Sequence, residues 1–150
     1  MGSDTFFNPK KMGMSMSYTV LLVEDDPIVR RFVITCLELE NLIVLATCDG
    51  VEALEIFRSR LKIDLLLTDV QLETGMSGIE VAERIVEEKV GTKVLVMSGY
   101  PDREIEALRK NLPFLRKPFT AAILNRAVRE ALASENSAAS EATVTNGATG

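Results

Sequence analysis

Tyr18-Thr-Val-Leu-Leu-Val-Glu-Asp-Asp-Pro27 is an apolar run that ends in three acidic residues and a proline. The apolar part predicts a buried strand over residues 20–23. Asp26 is a good helix N-cap, and the fixed φ of a proline suits the first helical turn. Apolar residues then recur every three or four positions and predict one buried helix face, made of Val29, Phe32, Val33, Cys36 and Leu37. The stretch therefore predicts a strand followed directly by an amphipathic helix.

The same unit recurs along the chain, so that strand-like and helix-like segments alternate five times. Four more apolar runs predict strands, over residues 42–46, 63–67, 94–97 and 114–115. The second of these runs is nearly all Leu and Ile, as expected for a strand covered on both sides, with Lys62 and Asp64 at its start.

Two capping boxes mark the starts of further helices, in Asp49-Gly-Val-Glu52 and in Ser77-Gly-Ile-Glu80. The first box precedes an apolar face of Val51, Leu54, Phe57 and Leu61, with Ile56 outside that face. The second precedes a face of Ile79, Ala82, Ile85 and Val86. Ile105 and Leu108 mark a weaker helix, and a last helix from Thr120 carries Ile123, Leu124, Ala127, Val128, Ala131 and Leu132.

Short buried strands that alternate with amphipathic helices predict right-handed crossovers and a parallel sheet. The fold class is therefore α/β, a small doubly wound domain with a five-stranded parallel sheet and helices on both faces. Folds of this kind place their chemistry at the carboxyl ends of the strands.

Polar side chains stand at those strand ends in four of the five units. Glu24 and Asp25 follow the first strand, Asp69 the third, Ser98 the fourth and Lys117 the fifth. Taken singly, the acids suit a helix N-terminus or a turn, Ser98-Gly is a common turn pair, and the lysine suits a solvated surface. Helix capping alone does not require a lysine at the same edge as the acids.

Three carboxylates brought together without a cation would push a proton back onto at least one of them. All-oxygen ligation with room for water suits Mg²⁺. A carboxylate beside Mg²⁺ can attack phosphorus if another cation neutralises the transferred group, and Lys117 supplies that charge. Ser98 is placed to donate a hydrogen bond to a phosphoryl oxygen. The pattern predicts a phosphoryl-accepting site.

Composition excludes several other functions. The net charge of -5 and the lack of clustered Lys and Arg argue against nucleic acid as a direct partner. The chain has no histidine, so any phosphohistidine must belong to a partner protein. Its two cysteines suit neither a disulfide framework nor a zinc site, and it has no membrane-spanning stretch. We expect a soluble cytoplasmic protein that binds no membrane.

The two ends of the chain differ in composition from its middle. Residues 1–17 show no periodicity and are expected to be a flexible leader, partly of vector origin. Residues 134–150 hold too little apolar surface to offset ordering entropy and are expected to be a disordered tail. One folded domain is expected over residues 18–133.

These segments resemble the receiver domain of two-component response regulators over nearly the whole of residues 18–133. Leu-Leu-Val-Glu24-Asp25-Asp26 is similar to the acidic pair after the family's first strand, and Leu-Thr-Asp69-Val-Gln-Leu to its phosphoacceptor segment. Val-Met-Ser98-Gly resembles its switch hydroxyl, and Phe114-Leu-Arg-Lys117-Pro-Phe its lysine strand. The resemblance implies a flavodoxin-like fold with strand order 2-1-3-4-5.

The resemblance also implies a role for each site residue. Asp69 would be the phosphorylated residue, with Lys117 and Ser98 assisting the transfer. Mg²⁺ would bind Asp25, Asp69 and the backbone carbonyl of Gln71, with Glu24 acting through water. The donor would be a phosphohistidine of a histidine kinase or phosphotransfer protein, and a downstream protein would be the target. Such a chain catalyses only its own phosphorylation and dephosphorylation.

Ser98 and Phe114 would form the switch, and Gln71 and Tyr100 would tune the lifetime of the phosphoryl group. Phe114 replaces the commoner tyrosine, Glu73 stands where a proline is usual, and the loop that holds Glu73 is one residue longer than the commonest form. Similar loops occur in receivers attached to hybrid sensor kinases.

Other functions compete with this interpretation. Within the receiver family, the alternative to signalling by protein contact is a phosphate shuttle or sink in a phosphorelay. A phosphohydrolase that forms an aspartyl phosphate would need a second acid at Gln71. A flavin carrier of the same fold would need a phosphate-cradling loop after the first strand, where the acids would repel phosphate.

Overall fold

The computed structural model describes residues 17–59, 62–73, 75–88, 91–99 and 112–134. Residues 1–16 of the expected leader and 135–150 of the expected tail lie outside these ranges, as do Leu61, Tyr100 and the helix predicted around Ile105 and Leu108. The described elements follow one another as β1 (Thr19–Val23), α1 (Pro27–Leu39), β2 (Ile43–Thr47), α2 (Gly50–Arg58), β3 (Leu65–Asp69), α3 (Gly78–Glu88), β4 (Lys93–Ser98), β5 (Phe114–Arg116) and α4 (Ala121–Ala133).

The five strands form one parallel sheet in the order β2-β1-β3-β4-β5, which confirms the predicted class and order. Val20 of β1 pairs with both Val44 of β2 and Leu65 of β3, and Asp69 at the end of β3 pairs with Met97 of β4. This register brings the carboxyl ends of the strands to one edge of the sheet.

Side chains that alternate along the strands divide the core into two layers. One face of the sheet packs against α2 and α3, through Leu21, Val23, Leu66, Val96, Ala53, Leu54, Phe57, Ile79, Ala82 and Ile85. The other packs against α1 and α4, through Val20, Leu22, Leu67, Leu95, Met97, Val33, Cys36, Leu37, Leu124 and Val128. Helices therefore cover both faces, as predicted, and Cys36 is a packing residue.

Two predicted helix starts are formed by the expected side chains. Asp26 accepts hydrogen bonds from the backbone N–H groups of Ile28 (2.8 Å) and Val29 (3.3 Å), with Pro27 in the first helical turn. The Ser77–Glu80 box closes in both directions, at 2.9 and 3.1 Å. These caps satisfy N–H groups that the helices leave unpaired.

The box at Asp49 and Glu52 closes only in part. Asp49 caps α2 through the backbone N–H of Val51 at 3.0 Å. The carboxylate of Glu52 instead accepts a hydrogen bond from the Thr47 hydroxyl, and Thr47 Oγ1 in turn accepts the Asp49 backbone N–H at 3.2 Å. The Thr47 hydroxyl therefore stands between the two box residues.

Two details of the predicted elements are wrong. The third strand begins at Leu65, two residues later than predicted, and just before it the Asp64 carboxylate accepts the backbone N–H of Thr19 at 2.8 Å. In α2, Val51 is half exposed, whereas Ile56 packs against the core, so the buried face is rotated from the predicted one.

Phe32 belongs only partly to the predicted face of α1. It is 40% exposed and lies against Phe119, with ring centroids 6.3 Å apart. Within the described ranges, every helix is too short or too polar to cross a membrane.

Candidate functional site

Three carboxylates meet where β1 and β3 end. Glu24 and Asp25 directly follow β1, and Asp69 is the last residue of β3. One carboxylate oxygen from each of the three lies within 4.8 Å of the other two. Because β1 and β3 are adjacent parallel strands, this proximity follows from the sheet register.

Lys117 reaches the same cluster from the end of β5. Its Nζ donates to Glu24 Oε1 at 2.7 Å and to Asp69 Oδ2 at 3.1 Å. Its backbone N–H donates to the carbonyl of Ser98 at 2.8 Å, which ties the lysine to the end of β4, and the Lys117-Pro118 peptide bond is cis. The structure therefore joins the predicted lysine to two of the predicted acids.

Burial sets the electrostatics of this cluster. It raises the pKa of Glu24 and the pKa of Asp69, and the hydrogen bonds from Lys117 offset this effect only in part. Burial lowers the pKa of Lys117, but the hydrogen bond to Glu24 and the charges of Asp69 and Glu24 outweigh it, so the Lys117 pKa is raised. Two carboxylates offset the cost of burying the single ammonium, whereas that one ammonium does not offset the cost of burying the two carboxylates.

Glu24 is fixed on several sides. Its side chain is fully buried, with one oxygen bound by Lys117 and Oε2 accepting the backbone N–H of Asp26 at 3.1 Å. The guanidinium of Arg30 donates to the Glu24 backbone carbonyl at 2.8 Å. A buried carboxylate with two hydrogen-bond donors is held in one position, which suits a group that must keep a cation or an ammonium in place.

Asp25 is linked to the loop between β3 and α3. Its Oδ2 accepts the backbone N–H of Glu73 at 2.6 Å, although 48 residues separate the two. Leu72, next to Glu73, is buried in the core layer under α2 and α3. This loop therefore contacts the acidic cluster through its backbone while the Glu73 side chain remains exposed.

Gly78 allows α3 to begin directly against the end of β3. A Cβ atom at Gly78 would lie 1.6 Å from the carbonyl oxygen of Asp69 and 2.7 Å from Thr68 Oγ1. The Gly78 backbone N–H donates to the carbonyl of Val70 at 2.9 Å. Only glycine fits this approach, which sets the backbone position of Asp69.

The remaining predicted site residues lie around this cluster. Ser98 ends β4 and is buried, with 1% of its surface exposed, and it is next to Met97, which pairs with Asp69. Phe114 begins β5 and packs, partly buried, against the layer under α2 and α3. Gln71 is exposed and lies two residues beyond Asp69.

Sequence reasoning missed three contributors, namely Gly78, the backbone N–H of Glu73 and the guanidinium of Arg30. A glycine at the first position of α3 is a detectable signal, because glycine is a poor helix former and needs a reason to be there. The other two contacts use backbone atoms as one partner, and no residue pattern indicates them.

The donor atoms of the acidic cluster fit the ligand preferences of magnesium. Its side chains offer oxygen ligands only, and Asp25 and Asp69 are each partly open to solvent, which leaves room for water. Burial is the main cause of the raised pKa values of Glu24 and Asp69, with a smaller contribution from neighbouring carboxylates, and a divalent cation would favour the charged form of both side chains.

A doubly wound sheet with an acidic cluster and a lysine at its carboxyl edge defines a receiver-type signalling domain. A family model described as the response regulator receiver domain matches residues 20–129. The chain therefore belongs to the response regulator receiver domain family of two-component systems.

Comparisons with known proteins give the same family. The chain is 36% identical over 120 residues to a cyclic di-GMP phosphodiesterase of Thermotoga maritima, covering 72% of this chain and 32% of that protein. It is 33% identical over 130 residues to the sensor kinase CckA of Brucella abortus, covering 82% of this chain and 13% of that protein. The chain thus spans a third or less of these two relatives.

Solved structures agree with the fold. A response regulator receiver protein from Sinorhizobium medicae is 28% identical, with a TM-score of 0.72, and the match covers 77% of this chain and 94% of that one.

Proposed function

We propose that Asp69 accepts a phosphoryl group from a phosphohistidine on a separate histidine kinase or phosphotransfer protein. The observation that carries this proposal is the contact of the Lys117 ammonium with both Glu24 and Asp69 at the edge where three carboxylates meet. Each part of this arrangement has a use in phosphoryl transfer, whereas helix capping would not explain why a partly buried lysine contacts two acids.

In the transfer, a carboxylate oxygen of Asp69 attacks phosphorus in line with the bond between phosphorus and the imidazole nitrogen. That bond breaks, the imidazole leaves with its electron pair and takes a proton from solvent, and Asp69 becomes an acyl phosphate. Lys117 neutralises the equatorial oxygens of the transferred group, because its ammonium already lies 3.1 Å from Asp69 Oδ2.

Asp25, Asp69 and the backbone carbonyl of Gln71 would hold Mg²⁺, with Glu24 acting through water. When bound, Mg²⁺ neutralises charge between the carboxylates and the phosphoryl oxygens. The fixed position of Glu24 keeps one further negative charge directed at both the cation and Lys117.

Phosphorylation replaces the single negative charge of the Asp69 carboxylate with nearly two negative charges on the phosphoryl group. Ser98 would then donate a hydrogen bond to a phosphoryl oxygen, and Phe114 would rotate into the space that Ser98 leaves. The surface near β5 and the helix predicted around Ile105 would change, and with it the choice of downstream protein. Gln71 and Tyr100 would control how fast water removes the phosphoryl group.

The chain would act in the cytoplasm through protein contacts, without binding nucleic acid or membrane, and would catalyse no reaction other than its own phosphorylation and dephosphorylation. A role as a phosphoryl shuttle or sink in a phosphorelay is the second candidate, favoured by the 33% identity to the sensor kinase CckA. Transfer of the phosphoryl group from Asp69 back to a phosphotransfer histidine would distinguish the relay role from signalling.

The test is incubation of the purified chain with acetyl phosphate and Mg²⁺, followed by intact mass spectrometry. We expect the mass gain of one phosphoryl group, which disappears with EDTA or with Asp69→Asn. An adduct that survives Asp69→Asn, or no adduct in the unaltered chain, would contradict the proposal.

A further inference from the structure

The loop between β3 and α3 brings one more carboxylate, that of Glu73, to the rim of the acidic cluster. The backbone N–H of Glu73 lies 2.6 Å from Asp25 Oδ2, and its side chain is exposed. Bond lengths then keep the Glu73 carboxylate within about 9 Å of Asp25 Oδ2 in every rotamer. Asp25 belongs to the same cluster as Asp69, the proposed acceptor. A phosphoryl donor that approaches Asp69 therefore enters the field of this charge.

The charge of Glu73 is not paired with a cation in the described part of the chain. None of the ion pairs found there includes Glu73. Lys117, the ammonium of the site, binds Glu24 and Asp69 instead. An exposed charge acts through solvent over about one Debye length, which is about 8 Å at physiological ionic strength and about 30 Å at 0.01 M. The field of Glu73 therefore reaches the acceptor site, and low salt extends its range.

We infer that Glu73 is a specificity-determining residue, which disfavours small dianionic phosphoryl donors relative to donors of lower negative charge. The inference rests on the proposed function. A proline is usual at this position, so the Glu73 carboxylate is not needed for the transfer itself. Its charge changes the work of bringing a negative donor to Asp69, and that work grows with the charge of the donor. A protein donor can offset the repulsion with Lys or Arg beside its phosphohistidine, whereas a small dianion cannot.

Two small donors of different charge separate this effect from others. Acetyl phosphate is a dianion at neutral pH, and phosphoramidate, with its protonated nitrogen, is a monoanion. When Asp69 attacks phosphorus, the phosphorus–oxygen bond of acetyl phosphate breaks and acetate leaves, whereas the phosphorus–nitrogen bond of phosphoramidate breaks and ammonia leaves. Both reactions give the same adduct, so the Mg²⁺ affinity of the site and the lifetime of the phosphoryl group cancel in the ratio of the two rates.

The experiment measures initial rates of adduct formation by intact mass spectrometry, with Mg²⁺ at low ionic strength, for the full-length chain, Glu73→Gln and Glu73→Lys. Both variants keep the backbone N–H that Asp25 accepts. We expect Glu73→Gln to raise the rate by about threefold with acetyl phosphate and by less than about twofold with phosphoramidate. Glu73→Lys reverses the charge and should raise the acetyl phosphate rate by about tenfold. These gains should nearly vanish in about 1 M NaCl, where the Debye length is about 3 Å.

Glu38→Gln is the matched control for these rates. Glu38 is an exposed glutamate in the last turn of α1, at the opposite edge of the sheet from the site, and its substitution should leave both rates unchanged. Equal gains with the two donors, or gains that persist in about 1 M NaCl, would show an effect of shape and would overturn the inference, as would the absence of any gain. No adduct with either donor in the unaltered chain would instead contradict the proposed function itself.

Discussion

Gly78→Ala is the substitution for which the structure gives the sharpest expectation. The new Cβ would lie 1.6 Å from the Asp69 carbonyl oxygen. An ordinary contact needs about 3.5 Å, so the start of α3 and the end of β3 must separate by roughly 2 Å. The nearest of the atoms in the way is a backbone atom of Asp69, so rotation of the Thr68 side chain alone cannot relieve the clash.

The energy of this change has three parts. Forced overpacking costs about 1–3 kcal/mol, and the strained hydrogen bond from Gly78 to the Val70 carbonyl about 1 kcal/mol more. Alanine in a helix returns about 1 kcal/mol relative to glycine. The net loss of unfolding free energy is therefore about 2 kcal/mol. Because Asp69 itself is displaced, the rate of its phosphorylation should fall by about 100-fold.

Urea unfolding followed by circular dichroism measures the stability, and intact mass against time with acetyl phosphate measures the rate. Gly91→Ala is the matched control, because nothing lies within 4 Å of a Cβ built at Gly91. That variant should be unchanged or up to about 1 kcal/mol more stable. Equal stabilities and equal rates for the two variants would refute the reasoning.

Three further outcomes are expected. Asp69→Asn should raise the free energy of unfolding of the metal-free protein near neutral pH, because burial raises the Asp69 pKa and the folded state favours the uncharged form. This gain in stability should shrink as the pH falls through the raised pKa and vanish below the ordinary value of 3.8. Urea unfolding of both proteins at a series of pH values measures it. Asp26→Ala should lower the free energy of unfolding by about 1 kcal/mol, since two N–H groups of α1 lose their hydrogen-bond acceptor. An unchanged urea midpoint would show that the cap does not contribute to stability. Ser98→Ala should abolish phosphorylation-dependent partner binding without preventing formation of the Asp69 adduct, and partner binding that persists would remove Ser98 from the switch.

The fold could be predicted from the sequence because its signals are local and repeated. Short apolar runs, helical periodicity and helix caps at Asp26 and Ser77 give the order of elements, and parallel pairing follows from the alternation of strands and helices. The strand order came from the family resemblance. The predicted start of β3 is wrong because an apolar pattern indicates burial and not strand pairing: Ile63 is buried although it lies before the strand.

The buried face of α2 shows a second limit of pattern reasoning. Gly50 and Ala53 are fully or almost fully buried, and a Cβ at Gly50 would lie 2.9 Å from Val81 Cγ2. Close approach to α3 therefore selects small residues for the inner face and turns Val51 outward. A prediction from large apolar residues alone places Val51 on the buried face of α2 and overlooks the small residues that allow α3 to approach.

For the site, the sequence indicates which side chains lie at the carboxyl edge of the sheet, but not which hydrogen bonds fix their positions. Parallel strands must bring Glu24, Asp69 and Lys117 to one edge, so their proximity was predictable. Lys117 lies nearer to Glu24 than to Asp69 because of how the two acids are buried, and the hydrogen bond between Glu73 and Asp25 uses a backbone N–H. Neither contact can be derived from residue types alone.

The proposed phosphorylation of Asp69 would act on a cluster of closely spaced charges. The apolar layers on both faces of the sheet hold the ends of β1, β3 and β5 in place, so the carboxylates cannot move apart to relieve their repulsion. Burial, and to a smaller extent the neighbouring carboxylates, raise the pKa values of Glu24 and Asp69. A cation lowers the repulsion, and a phosphoryl group on Asp69 gives Lys117 a more highly charged partner than the carboxylate it contacts now. The Lys117 backbone N–H donates to the Ser98 carbonyl. A shift of Lys117 toward the phosphoryl group would therefore move the ends of β4 and β5, where the proposed switch residues lie.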